Sequence, residues 1–243
     1  MISLDDKTIG RSGSGRSAVW PISLSGEGSV VAYRMAAGAD GDLRYWVIVN
    51  GKESPPFTYI GRPSLSRDGR VVAYRASLEE EQFIRVGDRV EGPFDWVTDP
   101  VVSSDGSTVA YAASVNREGF LKVGEKKSPL PGKPDMIFLS PQGRDAGWVE
   151  RLPLPDGGSK MRVVAFGRTG ESFGLVGNPV ISPTEPLVAY GAEDEKRCFV
   201  VIGARKVETP DRVGDPVFSP DGRRVGYGAR IGREFWWKVL EIP

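Results

Sequence analysis

The side chains best suited to chemistry in this sequence are carboxylates that recur at one kind of position. Asp99, Asp135 and Asp215 each stand just ahead of a short apolar run, where other copies of the pattern carry Arg62 and Asn178. Carboxylates converging there would favour a cation, either a basic peptide group or Ca²⁺, which takes oxygen ligands. Two of them with split pKa values would serve as an acid–base pair. Arg62, Asp99, Asp135, Asn178 and Asp215 are therefore candidate binding residues. Asp and Asn ahead of proline also stabilise turns, which is the structural reading of the same residues. A second set of candidates lies in two long polar segments, 36–44 and 150–160: Asp40, Asp42, Arg44, Arg151, Asp156 and Lys160. Asp40-Gly41-Asp42 has the flavour of a calcium loop without its full ligand series.

Other chemistries are excluded by what the chain lacks. It contains no histidine, which removes Ser-His-Asp and Cys-His catalysis, His-ligated zinc and the facial iron triad. Cys198 is the single cysteine, so no intrachain disulfide forms; within an apolar run it reads as an inert buried thiol. No catalytic residue, metal ligand or cofactor is assigned, Ca²⁺ being the one ion the acidic positions would suit. Lys plus Arg equals Asp plus Glu at 32 each, which argues against nucleic acid or an anionic membrane as partner. The first residues lack the basic start and apolar run of a secretory signal, and the expected location is the cytoplasm. With 40% hydrophobic and 26% charged residues the chain can build a packed core.

The elements that must position these residues come from an internal repeat. A short apolar strand ending in Ser, a turn, and a second strand ending in a small residue and an aromatic occur six times. The serines are Ser25, Ser66, Ser103, Ser140, Ser182 and Ser219; the aromatics are Tyr33, Tyr74, Tyr111, Trp148, Tyr190 and Tyr227, always eight residues later. Six equivalent serines with no histidine to activate them are turn residues, not nucleophiles. A third run rich in aromatic and β-branched residues follows in each repeat (45–49, 83–86, 120–123, 161–166, 198–202, 235–240), then turn signals such as Asn50-Gly51 and a weaker fourth strand, as at 56–60 and 93–97. Four antiparallel strands in roughly 40 residues is the period of a propeller blade. The fold class expected is all-β: a six-bladed β-propeller of four-stranded antiparallel blades in one domain, 1–243. The ring is expected to close by the N-terminal segment supplying the outer strand of the last blade, which pairs edges that would otherwise lie open.

The stretch Pro216-Val217-Phe218-Ser219-Pro220-Asp221-Gly222-Arg223-Arg224-Val225-Gly226-Tyr227 resembles the blade signature of TolB-type propeller repeats, relatives of the WD-repeat class. Ser-x-Asp-Gly recurs at 66–69 and 103–106, with weaker copies at 25–28, 140–143 and 182–185, the last without its glycine. That resemblance implies a protein-binding platform engaging peptides near a central channel.

On this reading the residues ahead of each inner strand rim the channel mouth, and the long segments of repeats one and four flank it from opposite sides. The expected function is a non-enzymatic scaffold that binds a protein or peptide. The alternatives are a Ca²⁺-dependent propeller enzyme, lactonase- or lyase-like, using Asp99, Asp135, Asn178 and Asp215, and a carbohydrate-binding propeller using exposed aromatics. In Phe235-Trp236-Trp237 neighbouring side chains alternate, so one tryptophan is expected between blades and the other partly exposed.

Overall fold

The computed structural model describes residues 2–4, 7–10, 16–38, 43–209 and 212–242, with side chains from residue 22 onward. The chain divides into two compact units, 1–133 and 134–243. In the first unit, sheet one is built from Arg16–Leu24, Val31–Ala37, Arg44–Val49 and Lys52–Glu53 in that order. Sheet two carries Tyr59–Ile60 and Ser64–Leu65 side by side along Val72–Leu78, followed by Glu81–Val86 and Arg89–Phe94. Sheet three repeats this plan with Trp96–Val97 and Val101–Val102 on Val109–Val115, then Glu118–Val123 and Lys126–Pro129.

In the second unit, sheet four runs Met136–Leu139, Ala146–Pro153, Ser159–Ala165 and Arg168–Phe173. Sheet five has Leu175–Val176 and Val180–Ile181 on Val188–Asp194, then Arg197–Ile202 and Arg205–Thr209. Sheet six comprises Val217–Phe218, Arg224–Ile231 and Glu234–Glu241. Six antiparallel sheets of about four strands are what a six-bladed β-propeller requires. Ile2–Leu4 pairs with Lys7–Gly10 in a hairpin of their own, and sheet six has three strands among the described residues.

Two strands expected as outer ones also change role. Tyr59–Ile60 and Trp96–Val97 pair not with the preceding sheet but with the second strand of the next, so each inner strand has two halves. The halves flank Pro63 and Pro100, because proline has no N–H to give the ladder and interrupts it. Pro179 divides Leu175–Val176 from Val180–Ile181 in the same way.

The repeated serines are turn clamps. In all six copies the serine N–H donates to the carbonyl five residues on, from Ser25 to Val30 and so through Ser219 to Arg224. The hydroxyl accepts from the same residue's N–H in five of them, at 3.0 Å for Val71 on Ser66 and 3.0 Å for Thr108 on Ser103. Where the turn contains Asp, that hydroxyl also donates to the carboxylate: Ser66 to Asp68 at 2.7 Å, Ser103 to Asp105 at 2.7 Å, Ser219 to Asp221 at 2.5 Å. The glycine after each Asp has positive φ, 72° at Gly69 and 74° at Gly106, which a Cβ would disfavour.

Within each unit the core lies between successive sheets. Phe57, Ile60, Tyr74 and Ala76 join Val47 in one cluster; Phe138, Val149, Phe173, Tyr190 and Phe199 share another. The repeated tyrosines are all buried, and in two repeats the residue before the aromatic is a glycine with a ring close against it. A Cβ on Gly147 would lie 2.3 Å from the Phe138 ring, and one on Gly226 would lie 2.5 Å from Trp237.

The turn carboxylates set an acid limit. Hydrogen bonds from the Ser103 hydroxyl and then the Ser107 N–H hold Asp105 down at about 2, from an ordinary value of 3.8, and Asp68 and Asp221 are lowered in the same manner. A folded-state value below the unfolded one stabilises the protein above about pH 4 and loses that contribution as pH falls toward the lower value. Asp105→Asn is therefore expected to lower the urea midpoint near neutral pH, with the gap to the parent closing in strong acid. A gap that stays constant with pH would mean the carboxylate charge is immaterial to the turn.

Candidate functional site

The interruption of each inner strand is where four of the five entry candidates sit. Arg62, Asp99, Asn178 and Asp215 directly precede Pro63, Pro100, Pro179 and Pro216. An interrupted ladder leaves backbone N–H groups that need acceptors. The next sheet supplies them. The Arg62 N–H donates to Asp99 Oδ2 at 3.2 Å, and the Asn178 N–H donates to Asp215 Oδ1 at 2.9 Å. Asn178 Nδ2 adds a second bond to Asp215 Oδ2 at 2.5 Å.

Glycine makes this approach feasible. A Cβ on Gly61 would fall 1.9 Å from Asp99 Oδ1, and one on Gly177 would fall 2.8 Å from Asp215 Oδ1. Asp135 is engaged differently: Arg151 meets it through Nη2 at 2.6 Å and Nε at 3.4 Å. Each of the three carboxylates is thus tied to its own donors. Among the described residues no three or more His, Cys, Asp or Glu side chains gather as a metal site. A convergent oxygen set is what Ca²⁺ needs.

The second set of candidates is rearranged. Asp40 and Asp42 lie outside the described residues. The segment 150–160 is not a long loop: the hairpin ladder continues from Glu150↔Arg162 through Pro153↔Ser159, leaving only 154–158 as a turn. Cross-strand pairing outweighs the proline and glycine signals that suggested irregular chain. Arg151 and Lys160 are strand residues with partners, Ser159 Oγ at 2.9 Å and Asp194 Oδ2 at 3.2 Å. Asp156 accepts from the Gly158 N–H at 2.9 Å, as a turn residue does. Arg44 begins a strand.

Trp236 and Trp237 are 47% and 62% exposed, so both face solvent where one was expected between blades. Trp237 lies across Gly226 of its own sheet, and Trp236, opposite Ala229, remains half open. Cys198, the single cysteine, is buried.

A cluster in the first unit went unread in the sequence. Arg34 and Arg75 each follow a repeated tyrosine and reach to the start of the next sheet. Arg34 Nη1 donates to the Ile60 carbonyl at 2.8 Å, and Arg75 Nη1 donates to the Val97 carbonyl at 3.1 Å. Tyr59 stands between the two guanidinium groups, 5.9 Å from Arg34 and 4.7 Å from Arg75, with Tyr45 5.2 Å from Arg34. Arg75 Nε lies 3.2 Å from Asp99 Oδ1. The signal was available, since the residue after the aromatic is Arg in the first two repeats and Ala, Val or Gly in the others. In the second unit a cleft of about 290 Å³ opens beside Asp215, lined also by Gly177, Gly191, Glu193, Arg212 and Val213.

The fold and this geometry define the class: a repeat of antiparallel sheets of the β-propeller type. No family model and no curated protein matches the sequence. Among solved structures, the propeller domain of the Trilobed protease from Pyrococcus furiosus is similar, with a TM-score of 0.58 at 11% identity over 95% of this chain and 82% of that one. A prolyl endopeptidase structure has a TM-score of 0.53 at 12% identity, covering 95% of this chain and 43% of that one. TolB from Acinetobacter baumannii has a TM-score of 0.46 at 14% identity, and the chain spans 61% of its length. At such identities the likeness is one of fold alone.

The capping arrangement has a measurable consequence. Gly61→Val would drive a side chain into the Asp99 carboxylate and uncap the Arg62 N–H, with an expected loss of about 1–3 kcal/mol in urea unfolding. Stability equal to the parent's would show that the Asp99 cap contributes nothing.

Proposed function

We propose that the chain is a single-domain, six-bladed propeller of the TolB type, closed by its N-terminal segment, that binds a protein or peptide in the cytoplasm without catalysis. The observation that carries this reading is the state of the entry carboxylates. Asp99, Asp135 and Asp215 are each bound to N–H groups or a guanidinium, so they hold the entries in shape and are not free to share a metal or a proton. Asp99 and Asp135 are paired with guanidinium groups and Asp215 is capped by amide donors, while Arg62 and Asn178 are exposed, each in its own unit. Rigid entries presenting exposed polar groups and a small cleft suit side-chain recognition by a peptide. Propellers also occur in enzymes, and fold does not choose between the two. A carbohydrate reading draws on one observation, the exposed Trp236 and Trp237, since aromatic faces serve sugars and proteins alike.

Two experiments test the proposal. Calorimetry of the full chain is expected to give one unfolding transition with equal calorimetric and van't Hoff enthalpies; two separable transitions would overturn the single domain. Selection of a peptide display library on the intact protein is expected to enrich sequences that lose binding to Arg62→Ala, a change at an exposed side chain. Enrichment indifferent to that change would move the site off the entries, and binding on a glycan array lost in Trp237→Ala would favour the sugar reading.

A further inference from the structure

The first two sheets carry the same guanidinium device with different counter-charges. Arg34 and Arg75 donate to equivalent carbonyls, Ile60 and Val97. Two residues beyond Val97 stands Asp99, whose Oδ1 meets Arg75 Nε at 3.2 Å. Two residues beyond Ile60 stands Arg62. Where the repeat gives Arg75 a carboxylate, it gives Arg34 a second cation.

The consequence is visible at the atoms. Arg34 Nε and Arg75 Nε are both enclosed without a hydrogen-bond acceptor among the described residues, but Arg75 has the Asp99 carboxylate at 3.2 Å as an ion-pair partner and Arg34 has no carboxylate partner among them. Arg62 uses its backbone N–H on Asp99, and its side chain extends into solvent. Arg34, Arg62 and Arg75 bring three positive charges and Asp99 one negative, so among the described residues 3 − 1 leaves two uncompensated. The Tyr45 and Tyr59 rings both lie within cation–π range of the Arg34 guanidinium, at 5.2 and 5.9 Å. A half-buried, oriented guanidinium without an anion is energetically exposed, because desolvation weakens hydration that only a counter-charge replaces. Arg presents paired donors matched to carboxylate and phosphate oxygens.

We propose that Arg34 and Arg62, backed by Tyr45, Tyr59 and Arg75, form an oxyanion site that takes a carboxylate or phosphate group carried by the peptide partner. The carrier rests on the peptide-binding reading above; the anion site stands on its own geometry. It reverses the charge of the ligand that the acidic residues suggested, from a basic group to an acidic one.

The test follows Arg Nε–H resonances by NMR in the full chain during titration with sodium acetate and sodium phosphate, ionic strength being held with sodium chloride. The Arg34 signal is expected to shift saturably with at least one of them, while exposed Arg168 follows only a shallow linear drift. Arg62→Ala is expected to weaken that binding at least about threefold, as loss of one charged contact does. Arg62→Asp recreates the Arg75–Asp99 arrangement; it should abolish the saturable shift and raise the melting temperature in the absence of added anion. An Arg34 response no larger than that of Arg168, or one unchanged in Arg62→Asp, would overturn the site. A last titration uses a synthetic peptide rich in Asp and Glu and its amidated Asn/Gln counterpart. Saturation by acetate or phosphate without tighter binding of the acidic peptide would keep the site and overturn the peptide reading instead.

Discussion

A strand broken by proline must have its freed backbone groups satisfied by something outside its own ladder, and much of this structure follows from that demand. Pro63, Pro100 and Pro179 divide inner strands that would otherwise run unbroken, and the entry residues lie at the break. At Pro63 and Pro179 the acceptor comes from the neighbouring sheet, as a carboxylate aimed at an N–H, and it reaches there because Gly61 and Gly177 lack a side chain. Proline, glycine and aspartate at these positions therefore form one unit spread across two repeats. Sheet four, whose entry has Ile137 where four of the others have proline, keeps a continuous Met136–Leu139 strand and uses Asp135 for an ion pair instead.

This explains why the same residues looked functional in the sequence. A row of Asp ahead of Pro is what a cation site would present, and it is also what capping between sheets requires. The two differ in whether the carboxylates converge on a common point or are spent one by one on their neighbours. In this chain each is spent, and the chemistry that remains is in the guanidinium groups behind them.

How much was legible depended on the range of the interaction. The eight-residue step from Ser to aromatic, the Asp-Gly turns and the Asn50-Gly51 hairpin are local, and they read directly; Asn50 and Gly51 adopt φ of 46° and 84° as a primed turn demands. The partners of Asp99 and Asp215 lie 37 residues away in each case, so spacing within a repeat could not reveal them. The segment 150–160 misled because Pro153, Pro155 and the two glycines signal loop, while the ladder beneath them is decided by pairing along the strand. Arg34 and Arg75 were passed over because a charged residue inside a strand reads as solvent-facing; the carbonyls they reach, Ile60 and Val97, belong in each case to the following sheet.

The strand Glu234–Glu241 has a single hydrogen-bonded neighbour among the described residues, and it displays Phe235, Trp236, Trp237 and Val239 to solvent. A long, apolar, half-paired strand is a template on which other chains can grow, the hazard that underlies fibril formation. Glu234, Lys238 and Glu241 interrupt it at either end and near the middle, as gatekeeping charges do. Three charged side chains in eight residues are thus what opposes further pairing along this strand.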